Sequence, residues 1–519
     1  MQYAGRLISR SAQLDSVETQ FVKHNKAIWK KQIIRHVDGE ILLEATDMAS
    51  SIISYAYLAN VLAHKHRASI IAYPLNGKHP NFSPAHRRLR QIYRSLNTER
   101  FIYIDLNPSQ QREQDRLFSD VYPRLKSKRD VEDMQVEGVW FGDLLYDSYL
   151  MDHRVPTIDI GDKRFQESLR ECLGYFVFWR DYLRSRQVKA VIISHCVYYR
   201  QAVLLRLAVQ LGIPVYQCNA THIYGLNRER LWAYDDFFEY PEQFHRLSPE
   251  ERTKGLQTAQ ERLQRRFSGE VGVDMHYSSK SAYTRPGTGR VVIESPRTKI
   301  LVATHCFFDA PHPYGINLFP DFYEWLYFLG GISEKTDYDW YIKTHPDFLP
   351  GNIPILEEFI KKYPRFNLIP SDTSHLQLID EGINFGLTVL GTIGFEYAAL
   401  GIPVINASLC NPHVRYRFNI HPKTIDEYEK VLMDLPNQKL EIDINEVYEY
   451  YFMAFIHNNT NNWLFRDYES LVKEAGGYAN QFGSISYEVF IREFTMQRHE
   501  QTARSLKEFV DSKAYRFRG

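Results

Sequence analysis

Residues 383–406 read INFGLTVLGTIGFEYAALGIPVIN. The mostly apolar run 383–390 is broken by Gly391-Thr392. Phe395, Ala398 and Ala399 then supply the buried stripe of a short helix before Gly401-Ile402-Pro403 opens another apolar run. The pattern predicts strand, turn, helix, turn, strand, which is one βαβ unit. In a doubly wound sheet ligands bind outside the carboxyl ends of the strands, and a Gly-Thr turn entering a helix aims backbone N–H groups and a hydroxyl at that edge. Phosphate suits such a turn. The plainer reading is that Thr392 only caps the helix, Glu396 favours the positive end of its dipole, and the glycines only make turns. A second stretch tips the balance: Trp340-Tyr341-Ile342-Lys343-Thr344-His345-Pro346-Asp347 predicts a short strand ending in Lys-Thr-His-Pro. Both stretches are expected at the same sheet edge.

With these residues in view, the chain resembles the bacterial GT-B glycosyltransferases of capsule and other surface polysaccharides, whose relatives include polysialyltransferases, Kdo transferases and teichoic acid polymerases. The marks are His345-Pro346, the pair Thr373-Ser374 at a helix start, and Gly391-Thr392-Ile393-Gly394-Phe395-Glu396 running to Gly401-Ile402-Pro403-Val404. The resemblance implies an α/β protein of GT-B fold, with two Rossmann-like domains facing a central cleft and C-terminal helices. It implies donor-binding roles for Lys343, His345, Pro346, Thr373, Ser374, Gly391, Thr392, Gly394 and Glu396, the last toward ribose hydroxyls.

Length and composition agree with two domains. A chain of 519 residues exceeds the roughly 250–300 at which single cores stop growing. With 63 basic and 63 acidic side chains the formal charge is zero, which argues against nucleic acid as a partner. No run of about 18 apolar residues occurs, and the first residues lack the apolar core of a signal peptide. A cytoplasmic protein is expected, at most in peripheral contact with the inner face of the membrane or a polysaccharide assembly complex. The five cysteines are scattered without metal-ligand spacing, so neither a disulfide framework nor a metal site is expected. The many aromatic residues fill large cores or line a sugar site.

In chain order, residues 40–45 predict the first strand, 52–63 a helix, and 68–73 a second strand. Asp47 follows the first strand and is a candidate base for the acceptor hydroxyl, or else the N-cap of that helix. Asp143 and Asp147 lie among large aromatics in Gly-Asp-Leu-Leu-Tyr-Asp, a stretch that resembles one in the surface-polysaccharide proteins and is a candidate acceptor-site wall. Two acids four apart also suit one helix face. His195 and His222 each follow a strand, although a lone His is more often structural; His195, Asp143 and Asp147 stand behind Asp47 as further candidates for the base. Ser248 to Glu251 predicts a capping box for a charged helix at 247–268. The aperiodic stretch 278–297 is the expected linker. The domains are therefore placed at 1–285 for the acceptor and 286–475 for the nucleotide-sugar, with 476–519 crossing back to the first.

The second domain opens with a strand at 299–303 and a loop dense in His305, Asp309 and His312, a density that packing alone explains poorly. Past the βαβ unit, Arg415 and Arg417 resemble the donor-closing loop and are expected to neutralise phosphate. The expected function is transfer of a sugar from a nucleotide-sugar donor, with a slight preference for a CMP-linked acidic sugar such as Kdo or sialic acid. The acceptor is a growing surface polysaccharide, lipopolysaccharide or lipid-linked glycan. No metal or other cofactor is expected. A UDP-sugar transferase, a CDP-glycerol-type transferase and a UDP-HexNAc epimerase are the alternatives on the same fold.

Overall fold

The computed structural model describes residues 13–29, 37–75, 84–284, 287, 289–345 and 351–519. The first apolar runs become β1 (Gly39–Ala45), β2 (Ala68–Pro74) and β3 (Thr98–Phe101). A small antiparallel hairpin, β4 (Gln135–Val136) and β5 (Val139–Trp140), precedes β6 (Val188–Ile193), β7 (Val215–Cys218) and β8 (Ile223–Leu226). The main sheet runs β3-β2-β1-β6-β7-β8, parallel except for β8, which pairs antiparallel with β7. Successive side chains point to opposite faces. Leu42, Ile71, Val191 and Ile193 enter one apolar layer, and Ile41, Leu43, Ile70 and Ile192 enter the other.

The second sheet contains β9 (Lys299–Ala303), β10 (Asp339–Lys343), β11 (Phe366–Ile369), β12 (Phe385–Thr388) and β13 (Val404–Asn406). Its order is β11-β10-β9-β12-β13, with every pair parallel. The βαβ unit expected at 383–406 is present as β12, the helix Ile393–Ala399 and β13. Strand order reverses between β1 and β6 in one sheet and between β9 and β12 in the other. These are the switch points at which a doubly wound sheet leaves a crevice. Tyr198, just past β6, donates from its hydroxyl to Asp309, just past β9, at 3.2 Å. The carboxyl ends of the two sheets therefore face each other, and the fold is GT-B.

The packing divides the chain differently from the linear boundaries expected. The helix Pro249–Phe267, read as part of the first domain, buries Ala259 and Leu263 against Phe395, Ala398 and Tyr450 of the second. Trp463, Leu464, Tyr468 and Leu471, read as second-domain residues, pack with Phe490, Phe509 and Phe517 on the first-domain layer under Ile41 and Leu43. Residues 515–517 also pair with β8 through Tyr515 and Phe517, covering that sheet edge. The capping box of Ser248 and Glu251 forms as expected.

Candidate active site

At the second switch point, β10 ends in Lys343, which is 2% exposed and donates to the Ser371 carbonyl at 2.9 Å. Burial lowers its pKa to about 8, against the pull of Asp372 and Glu396. His345 lies just beyond and is exposed, while Pro346 falls outside the described residues. Ser374 heads the helix His375–Asp380, yet its hydroxyl makes no cap bond and is buried without a partner among the described residues. Thr373 is half-buried and its N–H reaches the Pro370 carbonyl at 3.0 Å. His375, unnoticed in the sequence, is buried with Nδ1 2.8 Å from the Tyr397 hydroxyl. Burial and the cations Lys343, His345 and Arg266 hold its pKa well below the usual range, so four cationic or imidazole groups converge here.

The β12 turn is more occupied than the sequence implied. The Nε2 of His305 accepts from the N–H groups of Val389 and Leu390 at 3.3 and 3.2 Å, and its ring stacks on Phe322. Burial and His345 lower its pKa to about 4, which keeps it neutral. The Gly391 N–H donates to Thr388 Oγ1 at 3.1 Å. Among the described residues this leaves the N–H groups of Thr392 and Ile393 without an acceptor. Thr392 occupies the N-cap position but makes no side-chain cap bond, so the capping alternative is not realised.

Glu396 is buried and already engaged. Arg266, at the end of Pro249–Phe267, donates from Nε at 2.8 Å, and the Tyr283 hydroxyl donates at 2.8 Å. A carboxylate has about four lone-pair sites, so this clamp orients Glu396 without exhausting it. Neither Arg266 nor Tyr283 carried a sequence signal, the first reading as one charge on a solvated helix. Gly394 is explained by packing rather than phosphate approach, because a Cβ there would lie 2.5 Å from Nδ1 of His413.

At the first switch point, Glu44 is the penultimate residue of β1. It is 1% exposed and accepts from the Ser194 N–H at 2.9 Å and from the Ser194 hydroxyl. Burial raises its pKa to about 7. Asp47 is half-buried and has no side-chain hydrogen bond among the described residues. It does not cap the helix Ala49–His66, whose N-cap position is Met48. His195 is exposed to solvent but lies between protein walls that lower its pKa by desolvation, partly offset by Asp309. Tyr198, which reaches Asp309, has φ 66° and ψ 138°, a conformation costly for any residue but Gly and concentrated at functional sites.

Four expected site residues have other duties. Asp143 is fully buried in an ion pair with Arg206 at 2.6 Å, and that guanidinium lies over Trp140 and Trp232. Asp147 is buried against His312 Nδ1 at 2.6 Å. Neither acid is open to an acceptor. Arg415 binds the Phe238 carbonyl and Glu242, and Arg417 binds Glu446 with its side chain 91% exposed. Both guanidinium groups pair with protein carboxylates at the surface. His222 is buried against the Tyr234 hydroxyl and Gln217. The sequence also holds an Asp-x-Asp triplet, Asp337-Tyr338-Asp339, but it enters β10 at the amino end and faces Arg297. Among the described residues no cluster of three or more His, Cys, Asp or Glu is arranged to hold a metal ion, and no helix is long and apolar enough to cross a membrane.

No family model and no curated protein matches the chain. Among solved structures it is similar to a beta Kdo 2,4 transferase, KpsC of Thermosulfurimonas dismutans, at 13% identity over 51% of this chain and 79% of that one, TM-score 0.31. It is also similar to UDP-GlcNAc 2-epimerase from Neisseria meningitidis, at 10% identity over 81% and 100%, TM-score 0.20. Anabaena Alr3699/HepE in complex with UDP-glucose aligns at 9% identity over 91% and 100%, TM-score 0.25. At such TM-scores the likeness carries no weight for substrate, and the GT-B assignment rests on the two sheets themselves.

Proposed function

We propose that this chain is a nucleotide-sugar-dependent glycosyltransferase. One observation carries the reading. Lys343, His345, Arg266 and His375 gather at one switch point, beside the Ser374 hydroxyl and the N–H groups of Thr392 and Ile393, which have no partner among the described residues. Across the cleft lie His195 and Tyr198 of the first domain, and Tyr198 reaches Asp309 on the second-domain loop after β9. Breaking the bond between the sugar's anomeric carbon and the phosphate oxygen leaves negative charge on phosphate, and fixed donors and cations at that point stabilise it without reorganising. His195 is neutral near pH 7 because its pKa is lowered, so it takes the acceptor proton as the acceptor oxygen bonds to the anomeric carbon, and Asp309 stabilises the resulting imidazolium. Asp47 is the second candidate for the base. Protein cations supply the charge that a metal supplies elsewhere.

The finer reading keeps a CMP-linked acidic sugar as donor, because the His345 and Thr373-Ser374 pattern resembles enzymes of that kind, and a surface glycan as acceptor. A UDP-HexNAc epimerase is the competing reading, favoured by the same nucleotide site. Thermal shift with CMP, CDP, UDP and GDP tests the site: a nucleotide at 100 times its Kd adds about 2.7 kcal/mol of stability. That gain should shrink in Lys343→Ala. If none of the four nucleotides stabilises the wild-type chain, the reading fails. Turnover of a UDP-sugar to its epimer without acceptor would establish the epimerase instead.

A further inference from the structure

The loop after β9 holds a group that the proposed chemistry leaves unused. His312 is 0% exposed and lies between two carboxylates of the first domain. Its Nδ1 is 2.6 Å from Asp147 Oδ1 and its Nε2 is 2.9 Å from Glu132 Oε1. Both carboxylates are themselves buried. Further bonds join the same two surfaces: Tyr146 and Thr157 donate to Asp321 at 2.5 and 2.6 Å, and Lys128 pairs with Glu324. Between β9 and these anchors the chain carries Asp309, which receives the Tyr198 hydroxyl.

We propose that His312 is a positioning residue, clamped between Glu132 and Asp147 so that the β9 loop presents Asp309 to Tyr198 and His195. An imidazole with an ionised carboxylate on each nitrogen has no neutral tautomer that donates to both, so once both acids are ionised the geometry requires the doubly protonated ring. Burial opposes that charge, but Asp147 and Glu132 outweigh it and raise the His312 pKa to about 10. The other groups around the clamp are Arg129, which binds the second oxygen of Glu132, Asp143 with its partner Arg206, and Tyr146. At the far end of the loop, Asp309 and the buried His222 face His195.

The role of Asp309 rests on the transferase reading, whereas the clamp itself does not. Histidine-selective carbon labelling and NMR titration test both ends, with His312 and His195 assigned by loss of signal in His312→Gln and His195→Gln. In the wild-type chain, His312 is expected to remain an imidazolium through pH 8.5. In folded His312→Gln the pKa of His195 is expected to fall by a few tenths of a unit, as it should in Asp309→Asn. A merely structural His312 would not move it. Glu132→Gln serves the same purpose should His312→Gln fail to fold. Titration of His312 near its ordinary pKa, or an unchanged His195 titration in a folded clamp variant, overturns the proposal. Failure of wild-type chain to bind any nucleotide would instead remove the transferase reading and leave the clamp standing.

Discussion

Glu44 shows how a single buried carboxyl sets a pH dependence. Its folded pKa of about 7 lies above the usual 4.5, so the fold favours the protonated acid. Stability from this group is fully present below 4.5 and is lost as pH rises through about 7. The displacement corresponds to about 3 kcal/mol. Glu44→Gln mimics the protonated form and keeps an acceptor for Ser194. It should therefore gain about 3 kcal/mol over wild type between pH 4.5 and 8 by chemical denaturation. Asp147 also ionises in this range, but it does so in both proteins and cancels. A difference that stays constant with pH would refute the assignment. At this scale the sequence singles out candidates where a chemically distinctive residue ends or follows a strand, as with Lys343, His345 and His195. It was silent for Glu44, Arg266 and His375, whose surroundings are made by residues far along the chain.

Elements were legible in proportion to how locally they are determined. β1, β9, β10 and β12 are short apolar runs bounded by turn residues, and the Ser248–Glu251 capping box marked its helix. β8, Ile-Tyr-Gly-Leu, was missed because its pairing depends on β7 and on residues 515–517. Helical periodicity tells which face of Pro249–Phe267 is apolar but not which domain that face covers. Within the helix Phe322–Lys335, neighbouring glycines make opposite predictions. A Cβ at Gly331 meets nothing within 4 Å, whereas one at Gly330 lies 2.5 Å from the Tyr363 ring. Gly331→Ala should stabilise by roughly 0.5–1 kcal/mol through helix propensity, and Gly330→Ala should destabilise by about 1–3 kcal/mol through overpacking. Urea denaturation of the two variants decides this; equal effects would mean that the ring moves aside.

For the whole molecule, the first domain is discontinuous in sequence and the second is inserted into it. The second is residues 235–462 by its packing, with Ala259 and Leu263 completing the layer around Phe395 and Arg266 satisfying Glu396. A fragment of residues 286–475 lacks that helix and exposes Tyr468 and Leu471, which belong on the first domain. The fragment 235–462 should therefore be soluble and melt cooperatively while 286–475 aggregates, as measured by soluble yield and circular dichroism. Cooperative melting of 286–475 alone would show that the helix is dispensable. The first domain is in the opposite position, since its layer beneath Ile41 and Leu43 is finished by Phe490, Leu506, Phe509 and Phe517. During synthesis, β1 to β8 leave the ribosome with that face uncovered while residues 235–462 are still being made. At roughly 5–20 residues per second the wait is about 10–50 s. The domain translated second is thus the first able to close its core, and the nascent first domain is the natural client of a chaperone until the final helices emerge.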